Sequence, residues 1–267
     1  MLKIGLLGVG AIGRTIATAL DQKQLNAALV AISDQDCERA QTLSAELASR
    51  PPVVSLEEMI ERCDLAVEAA SQAALAEFMP KALARGRDTL IMSVGGLLGH
   101  RDWFRQAEEK DCRIYVPSGA IAGLDGIKSA SIGRIEAAEL TSRKPVAALR
   151  GSKYVVERGI ALDDLREDTV IFEGPAEEAA RAFPATSNVA ASLRLAVEPS
   201  APVCVRIVAV PGGNENVHEI RVRGEFGKLT VRVENVPSKS NPRTSQLAAY
   251  AAIATLKNLT SSLRVGT

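Results

Sequence analysis

The chain has 267 residues, 46% of them hydrophobic and 24% charged, which is enough to bury a substantial core and leaves little room for long disordered tracts. Its 32 Lys+Arg balance 32 Asp+Glu, so no overall field draws it to nucleic acid or to an acidic membrane surface. This length leads us to expect two domains.

The amino-terminal MLKIGLLGVGAIG is apolar but interrupted by Gly5, Gly8, Gly10 and Gly13, and it lacks a basic region with a cleavage site, which speaks against a signal peptide or membrane span. Residues 2–7 read instead as a buried strand, followed by a glycine turn and a helix on which Ile12, Ile16 and Leu20 recur every four residues. Gly8, Gly10 and Gly13 have the dinucleotide-binding spacing: one glycine for the turn, one for approach of the pyrophosphate, one for packing of helix on strand. The pyrophosphate would sit on the helix N-terminus, so Gly8, Gly10, Ala11, Ile12 and Gly13 are the first candidate cofactor contacts. A second apolar run, ALVAIS (28–33), ends in Asp34, roughly 20 residues beyond Gly13, where a carboxylate would accept from ribose hydroxyls and repel a 2′-phosphate. Gln35 follows rather than Arg, so NAD is the expected cofactor, with NADP the alternative. A Rossmann-like fold with an empty or different nucleotide site is the competing structural reading.

The alternation continues through a capping box at Ser55 and Glu58, the strand DLAVEAA (64–70), a helix stopped by Gly86, the strand DTLIMSV (88–94), a helix over 101–110 and the strand CRIYVP (112–117). That pattern predicts a doubly wound parallel sheet, with ligands beyond the carboxyl ends of its strands. Ala70, Ser71 and Ser93 lie at such ends and complete the candidate cofactor site of this half. His100, in a loop before a helix, reads as a surface histidine.

After Pro117 the pattern changes. Residues 118–131 read as a small-residue helix and 135–145 as a strand; helices EEAARAF and SNVAASLRLAV follow. The segments 202–210, 218–226 and 228–236 alternate apolar and polar residues and read as a run of antiparallel strands. A final amphipathic helix is expected to fold back on the first domain. The expected fold is therefore α/β: a Rossmann NAD-binding domain over 1–118, joined by the C-terminal helix 241–267, and a substrate domain over 119–240 with a mostly antiparallel open sheet. Exposed sheet surface needs covering, so a homo-oligomer is expected, a dimer in the first instance. Cys37, Cys63, Cys112 and Cys204 are scattered without CxxC spacing, so neither a metal site nor a disulfide framework is expected, and the location is expected to be cytoplasmic. His218 shares its alternating face with Ile220 and Val222, which leaves two readings open: a core histidine with a partner, or a proton-transfer group.

Several blocks together resemble the L-aspartate dehydrogenase family: GVGAIG (8–13), VEAASQAA (67–74), SVGGL (93–97), SGAIAGLD (118–125), TSRKP (141–145), VIFEGPAEEAARAFPATSNVAASL (170–193), ENVHEI (215–220), RGEFG (223–227) and NPRTS (241–245). The resemblance spans nearly the whole chain. It implies NAD(P)-dependent oxidative deamination of L-aspartate to iminoaspartate, which hydrolyses to oxaloacetate and ammonia or feeds pyridine nucleotide biosynthesis. By the same resemblance His218 matches the active-site histidine, and Asn188 and the SGAIAG segment match cofactor contacts, with the nicotinamide contact falling on Ala122 or Gly123. Residues 156–168 are poorly shared and read as a variable loop.

Hydride leaves Cα of an amino acid only when the amine is neutral, and water must then add to the imine. A histidine, with an unperturbed pKa of ~6.5, suits both steps. Lys144 is the alternative acid/base group, and Arg143 with Lys144 offers cationic contacts for a dicarboxylate unless both are solvated charges at a strand end. Asn188 could donate its amide to cofactor or substrate, or Ser187 or Asn188 could simply cap a helix. Arg243 and Thr244 are further candidates on similar terms. The competing functions are a Rossmann oxidoreductase for a related amino or hydroxy acid and a non-catalytic NAD-binding regulator.

Overall fold

The computed structural model describes residues 1–184, 188–236 and 245–266. Two compact units emerge, Met1–Pro117 with Ala248–Val265, and Ser118–Leu247.

In the first unit β1 (Leu2–Leu7), β2 (Ala27–Ser33), β3 (Leu65–Glu68), β4 (Asp88–Ile91) and β5 (Ile114–Tyr115) form one sheet in the order β2-β1-β3-β4-β5, parallel throughout. The connections carry α1 (Ala11–Asp21), α2 (Cys37–Glu46), α3 (Leu56–Arg62), α4 (Gln72–Ala84) and α5 (Arg101–Glu109). Strands buried on both faces need helices on both faces, which explains their nearly continuous apolar runs. Ser55 caps α3 by accepting from Glu58 N–H at 3.2 Å. Ala248, Ala252 and Leu256 of the last helix pack into this unit's core with Ile4, Leu6 and Ile16.

The second unit carries α6 (Leu124–Ala130), β6 (Ile135–Pro145), α7 (Val146–Leu149), α8 (Lys153–Glu157), β7 (Thr169–Pro175), α9 (Ala176–Ala182), α10 (Asn188–Ala196), β8 (Val203–Val210), β9 (Asn216–Gly224) and β10 (Gly227–Asn235). The chain ends with α11 (Gln246–Thr260). The second sheet has the order β10-β9-β6-β8-β7. Its inner face, Ala138, Leu140, Val205, Ile207, Ile220 and Val222, is packed with side chains from the unit's helices, Ile127, Ala176, Ala179, Ala190 and Leu193 among them. Its other face carries charge, with Arg206 paired to Glu173 at 2.8 Å and Arg221 to Glu219 at 2.6 Å.

Three expectations are corrected. Residues 118–131 are helical only from Leu124, because Gly119 and Gly123 take positive φ (66° and 77°), which a right-handed helix excludes. The segment 202–210 does not join an all-antiparallel run: β8 runs parallel to β6, since the intervening helices and β7 form a long crossover. Residues 156–168 are not a bare loop, for they include the end of α8 and a 3-10 turn at Leu162–Asp164 that buries Leu162. The strand β7 and helix α2 had no counterpart in the sequence reading. Residues 241–244, proposed to open the last helix and holding Arg243 and Thr244, lie outside the described residues, as does Ser187.

Candidate active site

In the first unit the strand order reverses beside β1, and the chain crosses between β1 and β3 where Gly8 and Ala69 touch: a Cβ on Gly8 would lie 2.7 Å from the Ala69 carbonyl carbon. Such switch points are where doubly wound sheets take nucleotides. A Cβ on Gly13 would lie 2.0 Å from the Gly8 carbonyl oxygen, so only glycine lets α1 pack this closely on the turn. Gly10, by contrast, faces open space, and no side chain caps the helix it opens. The first turn of α1, Ala11 to Gly13, therefore presents backbone N–H groups beside room for an anion, which fits a dinucleotide pyrophosphate.

Two carboxylates hold this region. Asp34 Oδ2 accepts from Val9 N–H at 2.7 Å and Oδ1 from Asp36 N–H at 2.9 Å, while the Arg39 guanidinium pairs with both oxygens at 3.0 and 3.1 Å. Burial pushes Asp34 up, but these bonds from Asp36, Val9 and Arg39 outweigh it and the carboxyl titrates below its usual range. Its side chain is only 4% exposed, whereas Arg39 is 48% exposed. Glu68, with no exposed surface, joins two neighbouring loops: Oε1 accepts from Ala70 N–H and Ser93 Oγ–H, each at 2.8 Å, and Oε2 from Ser93 N–H at 2.9 Å. Burial raises its pKa against the lowering effect of those bonds. Sequence reading missed Glu68 because it sits in an apolar run, where its charge gave no periodic signal. Ser71 caps α4 by accepting from Ala74 N–H at 3.1 Å.

In the second unit, pairing brings residues from four strands into rows across the inner face. One row reads Ile207, Ser142, His218, Val233. The next contains Ala209 beside Lys144 and Asn216 beside Asn235, and the β6–β9 register continued by one residue sets Lys144 opposite Asn216. The row on the other side, Val205, Leu140, Ile220, Val231, is apolar. The sheet face thus turns from core to polar site within two residues of each strand. Ser142, Lys144, Asn216, His218 and Asn235 are all at least nine-tenths buried.

His218 Nδ1 and Ser142 Oγ share a hydrogen bond of 2.9 Å. Burial, helped by the Lys144 charge, lowers the His218 pKa to about 3; burial alone lowers Lys144 to about 8. Around neutral pH the pair holds one proton, on Lys144, while His218 is a neutral imidazole. Asn235 fastens the segment before α6, donating from Nδ2 to the Ala120 carbonyl at 2.9 Å and accepting from Ser245 Oγ–H at 2.5 Å. Gly123 lies against β10, where a Cβ would come within 2.7 Å of Val231 Cγ2. Ala122 precedes it, and Asn188 opens α10.

Lys144 and His218 are therefore brought together, and so are Gly8, Gly10, Gly13, Asp34, Ala70 and Ser93 in the other unit. Arg143 does not join Lys144: alternation turns it to the opposite face, where it pairs with Asp168. Ser142 and Asn216 were missed, although each stands two residues from a named candidate and so shares its face. Among the described residues no group of three or more His, Cys, Asp or Glu could hold a metal ion, and no helix is long and apolar enough to cross a membrane.

Comparison with known proteins gives a consistent picture. A family profile described as aspartate dehydrogenase, C-terminal, matches residues 125–259, and one described as homoserine dehydrogenase, NAD binding domain, matches residues 8–117. The chain is 46% identical to an L-aspartate dehydrogenase of Methanosarcina barkeri and 47% identical to one of Methanocella arvoryzae, over 100% of both chains in each case. Among solved structures, the aspartate dehydrogenase of Thermotoga maritima superposes with a TM-score of 0.75 at 25% identity, covering 100% of each chain.

Proposed function

The chain belongs to the L-aspartate dehydrogenase family, and on that premise we propose that it oxidises L-aspartate to iminoaspartate with a nicotinamide dinucleotide as oxidant. The observation that carries this reading is the buried Lys144–His218 pair on one face of the second sheet, in a chain whose first unit has a glycine turn that fits a dinucleotide. The cofactor, when bound, accepts the hydride and its electron pair from Cα. The chain's own residues manage charge and protons. Lys144, charged below about 8, attracts a carboxylate of the substrate, which compensates an ammonium otherwise isolated by burial. His218, neutral around pH 7, is the proposed acceptor of the proton released as the amine nitrogen becomes an imine and the group that activates water for hydrolysis to oxaloacetate and ammonia, a substrate carboxylate offsetting the Lys144 charge that helps burial hold its basicity down. Proton acceptance at Nε2 requires Nδ1 to carry hydrogen and donate to Ser142 Oγ, which orients the ring.

Glu68 acts as a positioning residue, fixing the Ala70 and Ser93 loops against which the cofactor would lie. Asn188, Ala122 and Gly123 are proposed contacts of its nicotinamide end. Arg39 neutralises Asp34, so the carboxylate that would repel a 2′-phosphate is compensated. The proposed preference is NAD, with NADP admitted through the exposed Arg39 guanidinium. Cys37, Cys63, Cys112 and Cys204 are all unpaired, which supports a cytoplasmic setting, and a homodimer remains part of the proposal. Supply of the imine to pyridine nucleotide synthesis is part of the same proposal.

The test is reduction of NAD or NADP, followed by absorbance, with L-aspartate, D-aspartate, malate and homoserine in turn. Turnover with L-aspartate is expected. Turnover confined to another substrate replaces this assignment, and cofactor binding without any turnover points to the regulatory alternative.

A further inference from the structure

Asn216 is 6% exposed, and its Oδ1 has no hydrogen-bond partner among the described residues. It stands in the polar row opposite Lys144, one alternation from His218, and next to Asn235 on β10. Asn235 shows the contrast: both ends of its amide are engaged by the fold, with Ala120 and Ser245. A buried carbonyl without a donor forfeits its hydration with nothing in exchange, so one retained beside two titratable groups is an acceptor awaiting a ligand.

We propose that the Asn216 side-chain carbonyl is the subsite for the substrate's α-amino group. This rests on the reading of L-aspartate as substrate. The chemistry selects the amine end, because a carbonyl oxygen accepts and a carboxylate has no hydrogen to donate. Lys144, the donor across the row, is the matching partner for a carboxylate. A neutral amide also suits the reaction better than an acid would. It accepts N–H from an ammonium, from the neutral amine and from the imine, without the charge that would favour the ammonium and hinder its deprotonation. The row thus reads both ends of an α-amino acid, carboxylate at Lys144 and nitrogen at Asn216, with His218 one step away to handle the proton.

The experiment uses the full chain loaded with NADH, titrated by calorimetry with L-aspartate and with succinate, which keeps both carboxylates and lacks the amine. For Asn216→Leu, L-aspartate affinity is expected to fall about 10- to 100-fold, while succinate affinity changes less than about 3-fold. Parallel losses for both ligands, or no loss for either, overturn the proposal. Asn216→Asp keeps an acceptor and adds charge, so selectivity for L-aspartate over succinate is expected to rise. If the leucine variant does not fold, this ratio decides alone, and an unchanged or reduced ratio overturns the proposal. Absence of L-aspartate turnover by the unaltered chain sinks the functional reading instead, a result separable from failure at Asn216.

Discussion

The candidate sites of the two units hold their buried polar side chains in opposite ways. In the first, Asp34 and Glu68 have their oxygens engaged by the protein, Asp34 with Val9, Asp36 and Arg39, Glu68 with Ala70 and Ser93. They shape backbone, and backbone would meet the ligand. In the second, Lys144 and His218 are as deeply buried but have pKa values moved to about 8 and about 3, and Asn216 Oδ1 has no hydrogen-bond partner among the described residues. A dinucleotide is recognised by main-chain N–H groups and close approach, which rigid loops supply. A small polar substrate undergoing proton transfer needs side chains whose protonation can change. The comparison predicts that lesions in the second unit act on the chemical step and lesions in the first act on cofactor affinity.

The largest effect is expected at His218. His218→Ala should lower kcat for L-aspartate by about 10³-fold while NADH binding, followed by fluorescence, stays as in the parent chain. Nearly unchanged turnover would remove His218 from the chemistry and leave Lys144 as the proton acceptor. Stability gives a second signature. Folded His218 stays neutral down to about 3, whereas the unfolded side chain titrates near its ordinary value of ~6.5. The unfolded chain therefore binds more protons between those values, and stability falls as pH drops through that window. His218→Asn should flatten that slope in urea titrations at pH 4 to 7.

Next comes Lys144. Lys144→Met is expected to reduce kcat/KM for L-aspartate by about 10²-fold, chiefly through KM if the ammonium binds a carboxylate. As pH rises through about 8 the ammonium is lost, so the KM of the unaltered chain should rise above that pH and that of the variant should not. A kcat that instead climbs through the same pH, and loses that limb in the variant, would assign Lys144 the base role.

Much of this division was readable in the sequence. The glycine turn and βα alternation specify the first sheet, because period and turn chemistry are local properties. The inward direction of His218 followed from its alternation with Ile220 and Val222, and the same rule applied to β6 turns Lys144 inward with Leu140 and Ser142 and Arg143 outward. Less was readable where tertiary pairing decides. The parallel match of β8 with β6 depends on a long crossover between Pro145 and Val203, and Glu68 is explained by donors that include Ser93 in the loop of a different strand. Residues 118–123 have helical composition but glycines in left-handed conformations, a fact that composition does not carry.

Glu68 tests the first unit. Glu68→Gln is nearly isosteric, but its amide presents hydrogens to donors that now find an acceptor, so one of the bonds to Ser93 or Ala70 is lost. A destabilisation of about 1–3 kcal/mol is expected, with NADH affinity reduced about 10-fold and kcat at saturating cofactor changed less than about 3-fold. A kcat loss as large as that at His218 would break the division between the units.

The smallest effect, and the sharpest test of how the first unit reads its ligand, belongs to Arg39. The guanidinium is half exposed, so its pairing with Asp34 contributes little to stability. Removing it changes what Asp34 presents instead. With Arg39 in place the carboxylate is neutralised and a 2′-phosphate can pair with the guanidinium; without it, Asp34 regains an uncompensated charge, and its oxygens, still bonded to Val9 and Asp36 N–H, recover accepting capacity for a ribose hydroxyl. Arg39→Ala should therefore weaken use of NADP about 5- to 10-fold in kcat/KM while NAD use holds or improves slightly. Equal losses for both cofactors would mean that the pair only supports the Val9 turn, leaving discrimination to residues elsewhere.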